Sequence, residues 1–504
     1  MIKKIYKSGI QNIFLFCLGI IFSYSCKIAS KTKTPVEMER NDFSSSIASS
    51  QFNNVVHIKD FGAVGDGTTN STEAFQKAAI YLKANGGTLI IDPGIYIVGK
   101  QRLSRSYTSG SSYFAEPILE IQDAQKPIVI SGYNATLKAA DGLKFGSFNP
   151  ISGLKDSTRK RGNRSSYYAS AFIFINTVRC ASVSIQGLTL DGNSRSLNIG
   201  PAFGPDGIQL SAVGIGLNSD KKAEVTDCYI HHCALDAIYV AWPGLKDSDP
   251  IYPHTIKNVK ATFSGRQGLS WVGGNNLTVI NSEFSSTGKA MNNDVPVVSK
   301  PSAGIDIEIT HSIIKNGNFI NCLVYDNAGP GIISIGHDTH NINFKNCTFI
   351  GTTNTAAYPK SQEFAFDSCT FVGMVQRIFG STDKDKATTF KNCLFTLDEN
   401  KSPNGKVFGD TWEFYNAKNV VFDNCVFDAD SKHLPTFNTP EIEFLNCTFS
   451  QNSDKDFNAA AIFTGTTTFI MKGKGRLNTA ESSSQGTILY NDKKFSNIRS
   501  VSSK

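Results

Sequence analysis

Four acidic residues in the middle of the chain have a spacing suited to acid–base chemistry. Between residues 200 and 340, similar segments recur as PDGIQL, LDAIYV, RQGLSW, AGIDIE and PGIISI. Asp206 and Asp236 precede the small residue of the first two segments, and Asp306 and Glu308 follow the small residue of the fourth. Two carboxyl groups held close together acquire different pKa values, because one negative charge disfavours the other. Such a pair can act as acid and as base or nucleophile in glycoside hydrolysis.

The five segments must lie on short strands, one for each turn of a repeating structure. Their small residues follow one another at intervals of 30, 31, 36 and 27 residues: Gly207, Ala237, Gly268, Gly304 and Gly331. Strand alternation predicts that the next residue of each points inward: Ile208, Ile238, Leu269, Ile305 and Ile332. It predicts outward side chains at Gln209, Tyr239, Ser270, Asp306 and Glu308. On this alignment the backbones of Asp206 and Asp236 lie about 5 Å apart, and Asp306 lies about 10 Å from Asp236.

A second repeat marks the coils themselves. Phrases such as INFKNCTF, FAFDSCTF and VVFDNCVF place one cysteine in each unit: Cys228, Cys322, Cys347, Cys369, Cys393, Cys425 and Cys447. Repeats of this length made of short alternating strands predict stacked coils. Asn, Asp or Ser before each cysteine predicts a turn residue, with Asn side chains bonding along the stack. The cysteines are then small inward residues and not a disulfide framework or a metal centre.

The segment at residues 55–99 differs from the repeats. It contains DFGAVGDGTT, an amphipathic helix with AFQKA, a stop at Asn85-Gly86-Gly87, and GGTLIIDPGIYIVG. Asn70 and Glu73 fit a capping box, and Phe75, Ala78, Ala79 and Leu82 share the apolar face. This segment closely resembles the N-terminal cap of the pectate lyase superfamily, which includes rhamnogalacturonase-like enzymes, epimerase-like proteins and phage tailspikes.

The resemblance implies an all-β fold. We expect a single-stranded, right-handed parallel β-helix of the pectin lyase type over residues 55–504, with an N-terminal capping helix. Residues 55–100 would form the N-terminal cap, and residues from about 450 to 504 the C-terminal coils and cap.

The acidic segments also resemble, more distantly, the active coils of polygalacturonases. Those coils carry Asn-Thr-Asp-Gly, Asp-Asp-Cys, Gly-His-Gly and Arg-Ile-Lys. Here the matching segments are Asp206-Gly207, Asp236-Ala237, Arg266-Gln267-Gly268 and Asp306-Ile307-Glu308. The resemblance implies that Asp236 is the general acid, with Asp206 and Asp306 as candidate bases. Acidic residues in place of the two cations argue against polygalacturonate, and they fit a neutral sugar or a bound Ca²⁺.

Further residues near these strands are candidates for substrate binding. They are Glu308, Arg266, Gln267, Tyr239, Trp242 in the loop AWPGLKDSDPIYPH, and His337. Structural roles compete with several of these assignments. Asp206 and Asp236 could cap turns, Arg266 could neutralise the acidic cluster, and His337 could support a turn. Trp271 falls on the inward phase and is expected in the core.

The first residues predict export. Lys3, Lys4 and Lys7 precede the apolar run Ile13–Phe22, which is too short to span a bilayer as a helix. The SYSC that follows resembles a bacterial lipoprotein signal, so residues 1–26 are the expected signal peptide, with Cys26 as the lipidation site. Residues 27–54 are polar and Ser-rich and predict a flexible tether. The expected location is the bacterial cell envelope, with the lipid anchor as the only membrane contact.

The net charge and the motifs limit the classes of function that the sequence supports. The chain has 50 basic and 43 acidic residues, and removal of the three lysines of the signal leaves a net charge of +4. This near-neutral balance does not indicate a nucleic-acid partner. The first hypothesis is a glycoside hydrolase acting on a polysaccharide, with no cofactor required and Ca²⁺ as an option. The alternatives are a polysaccharide lyase or epimerase, and a non-catalytic glycan-binding solenoid.

Overall fold

The computed structural model describes most of the chain after residue 53. The described residues are 54–107, 112–158, 172–203, 209–310, 312–336, 339–410, 412, 417–429, 432–479, 482–491 and 493–495. Lipidation at Cys26, the signal peptide and the tether up to residue 53 therefore lie outside the described residues. No helix within these ranges is long and apolar enough to cross a membrane.

Short strands stack in parallel on their equivalents in the next coil and form one sheet of 28 strands and one of eight. The strands of the larger sheet that lie before and after the Asn-Cys turn are called the first and the second sheet, and the eight-stranded sheet is the third. The first sheet precedes the Asn-Cys turn and contains Val55–His57, Gly87–Ile90, Ala223–Thr226, His254–Lys257, Leu277–Ile280, Ile314–Ile320, Thr339–Lys345, Phe364–Asp367, Thr389–Lys391, Val421–Asp423, Phe437–Leu445 and Ser483–Tyr490. The second sheet follows the turn and contains Asp66–Asn70, Gly94–Val98, Tyr229–His231, Lys260–Thr262, Glu283–Ser285, Leu323–Tyr325, Thr348–Ile350, Thr370–Val372, Leu394–Thr396, Val426–Asp428 and Thr448–Gln451. Some long strands contribute to both sheets: Ile128–Ala139, Val183–Asp191 and Phe457–Met471, and Ser483–Tyr490 pairs with the last of these along both parts.

The third sheet carries the candidate site. Its eight strands are Leu119–Gln122, Phe172–Val178, Ala212–Asn218, Asp236–Ala241, Gln267–Trp271, Ala303–Glu308, Ile332–Ile335 and Ala357–Lys360. Consecutive strands all pair in parallel. The predicted all-β fold, a right-handed parallel β-helix with a helix near its N-terminus, is confirmed.

Two further strands, Leu477–Asn478 and Lys493–Phe495, extend the large sheet by pairing with Phe457–Met471 and Ser483–Tyr490. The remaining elements are all short. They are the strands Gln101–Leu103, Tyr113–Ala115, Lys144–Phe145, Asn198–Ile199, Met291–Asn292 and Val295–Pro296. Four 3-10 turns span Ile58–Phe61, Ser194–Ser196, Lys384–Lys386 and Glu399–Lys401.

Inward residues stack in columns along the axis. Phe344, Phe366, Phe390 and Phe422 follow one another with ring centroids 4.7 to 4.9 Å apart and nearly parallel planes. This separation matches the spacing of neighbouring strands, so each coil places one ring directly on the ring below it. The cysteines form a similar column, and the nine that lie in the described residues are all buried and unpaired.

The Asn-Cys turns behave as predicted. The residue before the cysteine has a left-handed backbone, with φ of 53° at Asn321, 52° at Asn346, 53° at Asn392 and 53° at Asn424. Asn tolerates this conformation better than most residues. Its side chain also bonds to the turn below, as Asn346 Nδ2 donates to Asn321 Oδ1 at 3.3 Å and Asn424 Nδ2 to Asn392 Oδ1 at 2.8 Å.

Helix α1, Thr72–Asn85, covers the N-terminal coils with the predicted apolar face. Its start differs from the expected capping box. Asn70 Oδ1 accepts hydrogen bonds from the backbone N–H and the hydroxyl of Thr72 at 3.1 and 2.7 Å. Glu73 instead forms an ion pair with Lys100, 2.5 Å away. A lysine from the neighbouring strand region thus replaces the backbone N–H that Glu73 would otherwise accept from.

Candidate active site

The strand Ala303–Glu308 presents two of the predicted acids on its outer face. Its inward residues follow the expected column, since Ile238 pairs with Leu269, Leu269 with Ile305, and Ile305 with Ile332. The outward column runs from Tyr239 through Ser270 to Asp306. Glu308 lies two residues further along the same strand and is exposed. The alternation of this sheet is therefore as the sequence predicted.

Asp236 is completely buried and its two carboxylate oxygens are both engaged by Arg266. Arg266 Nε donates to Oδ1 at 2.9 Å and Nη2 donates to Oδ2 at 2.5 Å. Only 11% of the Arg266 side chain and none of the Asp236 side chain is exposed. A two-point ion pair of this kind satisfies both groups inside the protein.

Gln267 connects this ion pair to Asp306. It is level with Asp236 in the preceding strand, and its Nε2 donates to Asp306 Oδ2 at 2.5 Å. Its other amide atom, Oε1, accepts the backbone N–H of Ala303 at 3.3 Å. Both ends of the Gln267 amide are therefore used to hold the strand that carries Asp306.

The environment of Asp306 favours its protonated form. Burial, which leaves the residue 3% exposed, together with the charges of Glu308 and Asp236, raises the pKa of Asp306 to about 8. Arg266 and the hydrogen bond from Gln267 act in the opposite direction. At neutral pH this carboxyl group therefore holds a proton, while Glu308 lies exposed nearby.

The predicted equivalence of Asp206 and Asp236 is wrong. Parallel pairing aligns Ile238 with Ile215, and not with Ile208. The strand one coil before Asp236–Ala241 is Ala212–Asn218, whose small and apolar residues pack in the interior. Asp206 itself lies outside the described residues, as do Gly207, Ile208 and His337. The residue level with Asp236 and Gln267 on the fourth strand is Ala303, so Asp306 lies three residues further along its strand than the position equivalent to Asp236.

The aromatic candidates divide between core and surface. Trp271 is fully buried, as expected. Trp242 is partly buried and stacks on Tyr252 of its own loop, with ring centroids 4.0 Å apart and planes inclined by 17°. His254 packs edge-on to Trp242, and burial lowers its pKa to about 4. The loop that follows the Asp236 strand is thus held by its own aromatic rings.

Two further features were not predicted from the sequence. A cleft of about 560 Å³ lies between residues 196–203 and Asn292–Val295, and Lys155 also lines it. Asp191, His231 and His232 bring one potential ligand atom each within 4.8 Å of one another. The adjacent histidines His231 and His232 are visible in the sequence. Their position beside Asp191 follows only from the strand register.

Comparison with known proteins identifies the repeat region. Residues 173–404 match the family model for the right-handed β-helix region. No curated protein matches the chain. Solved structures with a similar fold include the A-module of mannuronan C-5 epimerase AlgE6 from Azotobacter vinelandii, with 16% identity, 86% of this chain and 98% of that chain covered, and a TM-score of 0.40.

Two other similar structures come from a bacterial surface protein and a phage. The surface adhesin PfbA of Streptococcus pneumoniae has 14% identity, with 87% of this chain and 89% of that chain covered and a TM-score of 0.39. The tailspike gp49 from Pseudomonas phage LKA1 has 12% identity, with 86% and 80% covered and a TM-score of 0.38.

Proposed function

We propose that this right-handed parallel β-helix protein is a glycoside hydrolase that cleaves a polysaccharide, with Asp306 as general acid and Glu308 as the second carboxylate. The observation that carries the proposal is the contrast between two acids on one strand face. Asp306 has a pKa of about 8 and holds a proton at neutral pH, whereas Glu308 is exposed. Glycoside hydrolysis requires one carboxylic acid that gives a proton and one carboxylate that acts as base or nucleophile.

The proposal moves the acid from Asp236 to Asp306. Both oxygens of Asp236 accept hydrogen bonds from Arg266, so neither is free to donate a proton to a glycosidic oxygen. In Asp306, by contrast, the hydrogen bond from Gln267 engages one carboxyl oxygen, Oδ2. Gln267 and the Asp236–Arg266 pair would position the acid, and Tyr239 and Trp242 would contact the sugar.

A lyase or epimerase is the second candidate and is less well supported. Proton abstraction beside a uronate needs a cation to neutralise the carboxylate. Arg266 is a candidate cation in this cluster, and it is already paired with Asp236. Ca²⁺ would need carboxylate ligands, and a protonated Asp306 is a poor one.

A glycan-binding solenoid without activity is favoured by one observation. Asp236, Gln267, Ser270 and Asp306 are all at most 3% exposed, so this polar network could serve the fold alone. The activity of site variants separates this alternative from the enzyme.

The test is a panel of neutral and acidic polysaccharides with two readouts. New reducing ends without an ultraviolet-absorbing unsaturated product would support hydrolysis, and the unsaturated product would support a lyase. Asp306→Asn and Glu308→Gln should each lower the rate by about 100-fold or more, the scale of a lost general acid or base. Glu399→Gln, an exposed acid on a 3-10 turn, is the control and should leave the rate unchanged.

Two results would contradict the proposal. One is full activity in both site variants. The other is the absence of cleavage across the panel together with binding of one polysaccharide, which would favour the glycan-binding solenoid.

We also propose that the protein is exported and lipid-anchored through Cys26. Metabolic labelling with a radioactive fatty acid tests this in a bacterial host. The label should enter the wild-type protein and Cys17→Ser, because Cys17 lies within the apolar run of the signal. It should be absent from Cys26→Ser, and labelling of that variant would contradict the assignment.

A further inference from the structure

The group of Asp191, His231 and His232 lies at the ends of two neighbouring strands of the second sheet. Asp191 is the last residue of Val183–Asp191, and His231 is the last residue of Tyr229–His231. The register places them directly side by side on successive coils. His232 follows with a left-handed backbone, φ 55°, which turns its side chain out of the strand alternation. All three residues are partly buried.

The distances within the group are those of a metal site. His231 Nδ1 is 2.8 Å from His232 Nδ1 and 3.5 Å from Asp191 Oδ1. Zn²⁺ binds imidazole nitrogen and carboxylate oxygen at about 2.0–2.2 Å, so ligand atoms around one ion are separated by roughly 3.3 Å in tetrahedral geometry. The donors need only small movements to take an ion between them.

The surrounding residues hold the two rings in place. His232 stacks on Phe263 with centroids 5.0 Å apart and planes inclined by 12°, and His231 packs on Tyr229 at 4.5 Å. The backbone is fixed as well, because His232 donates its N–H to Thr262 O at 3.1 Å and His231 O accepts from Gly192 at 2.8 Å. A preformed pair of rings lowers the cost of ordering ligands when an ion binds.

The chemistry of the donors fits a transition metal. Two imidazole nitrogens and a carboxylate oxygen are donors that zinc and other transition metals take, and imidazole binds them in its neutral form. An ion bound by the two Nδ1 atoms would take the place of the hydrogen bond that His231 and His232 share at 2.8 Å, while Nε2 of His232 is buried without a hydrogen-bond partner. Arg195 carries a charge near the rings and would oppose a cation.

We propose that Asp191, His231 and His232 bind one divalent transition-metal ion with three protein ligands. Two imidazoles and one carboxylate match the preference of zinc and leave a further coordination position for water or a ligand. The site is separate from the acids of the candidate active site and uses none of their side chains.

The experiment is calorimetric titration of the untagged full chain with Zn²⁺ after removal of metals by a chelator. We expect one equivalent of ion to bind. His231→Gln and His232→Gln should each weaken binding by more than about 100-fold, since even second-shell changes cost 10- to 100-fold. Arg195→Ala should bind more tightly, because the opposing charge is gone. His340→Gln removes a histidine paired with Glu363 elsewhere and should bind as the wild type does.

A second readout reports on the ligands themselves. Co²⁺ in place of Zn²⁺ should give visible absorption bands that are lost in His231→Gln. Circular dichroism of each variant would show that it remains folded. Absence of stoichiometric binding in the wild type, or equal binding by the folded His231→Gln and His232→Gln variants, would overturn the proposal.

Discussion

Gln267 donates its side-chain amide to Asp306 Oδ2 at 2.5 Å, although the two residues lie 39 positions apart in the chain. The contact joins neighbouring coils, because the strand Gln267–Trp271 pairs with Ala303–Glu308. Gln267 thus supplies a hydrogen bond to the acid whose pKa is raised. The consequences for stability can be measured without knowing the substrate.

The stability of the protein should depend on the titration of Asp306. Its pKa rises from 3.8 to about 8 on folding, so between these values the folded state retains a proton that the unfolded chain has released. The free energy of unfolding should therefore fall as pH rises toward 8. Other shifted groups act at lower pH: Asp220 has a pKa of about 6, and the pKa values of His232 and His254 are lowered to about 4.

The window from about pH 7 to 8 is the one best suited to Asp306, because histidines of the unfolded chain, with a pKa near 6.5, have mostly lost their proton there. Comparison with Asp306→Asn removes the contribution of all other groups. Thermal unfolding of the wild type should show a melting temperature that falls across this window. Asp306→Asn should flatten the curve, and Asp326→Asn, a partly buried acid paired with Lys289, should not. Parallel curves for wild type and Asp306→Asn would contradict the raised pKa.

Removal of Arg266 should be strongly destabilising. Arg266→Ala leaves the fully buried Asp236 carboxylate without its partner, which costs about 3–5 kcal/mol in comparable cases. The matched control is Arg179→Ala, whose two-point pair with Asp123 has both side chains at least half exposed and should contribute far less, because solvent screens exposed ion pairs. Denaturant unfolding measures both values.

A rescue variant distinguishes the buried charge from lost packing. Asp236→Asn in the Arg266→Ala background removes the uncompensated charge and should restore part of the lost stability. If Arg266→Ala proves no more destabilising than Arg179→Ala, the pair does not have the burial described.

The left-handed turns should tolerate glycine better than alanine. Asn392 has φ 53° and both donates to Asp367 and accepts from Asn424 in the stack. Asn392→Ala keeps an unfavourable backbone and should cost about 1–2 kcal/mol from the left-handed conformation alone. Asn392→Gly loses the same side-chain bonds without this strain, so its loss on chemical denaturation should be smaller. An equal or larger loss in the glycine variant would mean that the left-handed backbone conformation does not decide the preference for Asn at this turn.

The cysteine column should be unreactive until the protein unfolds. Burial in the interior shields all nine thiols of the described residues, and a shielded thiol reacts slowly with modifying reagents. In a Cys17→Ser, Cys26→Ser variant, a thiol reagent should label close to none of these nine in the native state and all nine in denaturant. Mass spectrometry counts the labels, and disulfide-linked peptides would show that the column is oxidised.

Much of the fold followed from local pattern. The Asn-Cys repeat placed the turns and the small inward residues because left-handed turns and strand alternation are properties of a few adjacent residues. The inward column Ile238, Leu269, Ile305 and Ile332 followed for the same reason. The apolar face of the capping helix was also predicted correctly. The predicted capping box was not, because Glu73 pairs with Lys100 outside the helix.

The relations between coils required the three-dimensional structure. PDGIQL resembles the other segments, yet the register aligns Ile215 with Ile238, because loops of unequal length separate the strands. The same variation in loop length lets Arg266 form its ion pair with Asp236. Asp306 is then the carboxyl group of this cluster whose pKa is raised. Residue type and spacing identify which side chains can perform chemistry. Which of them are paired, buried or protonated depends on neighbours that lie one coil away and tens of residues apart in the chain.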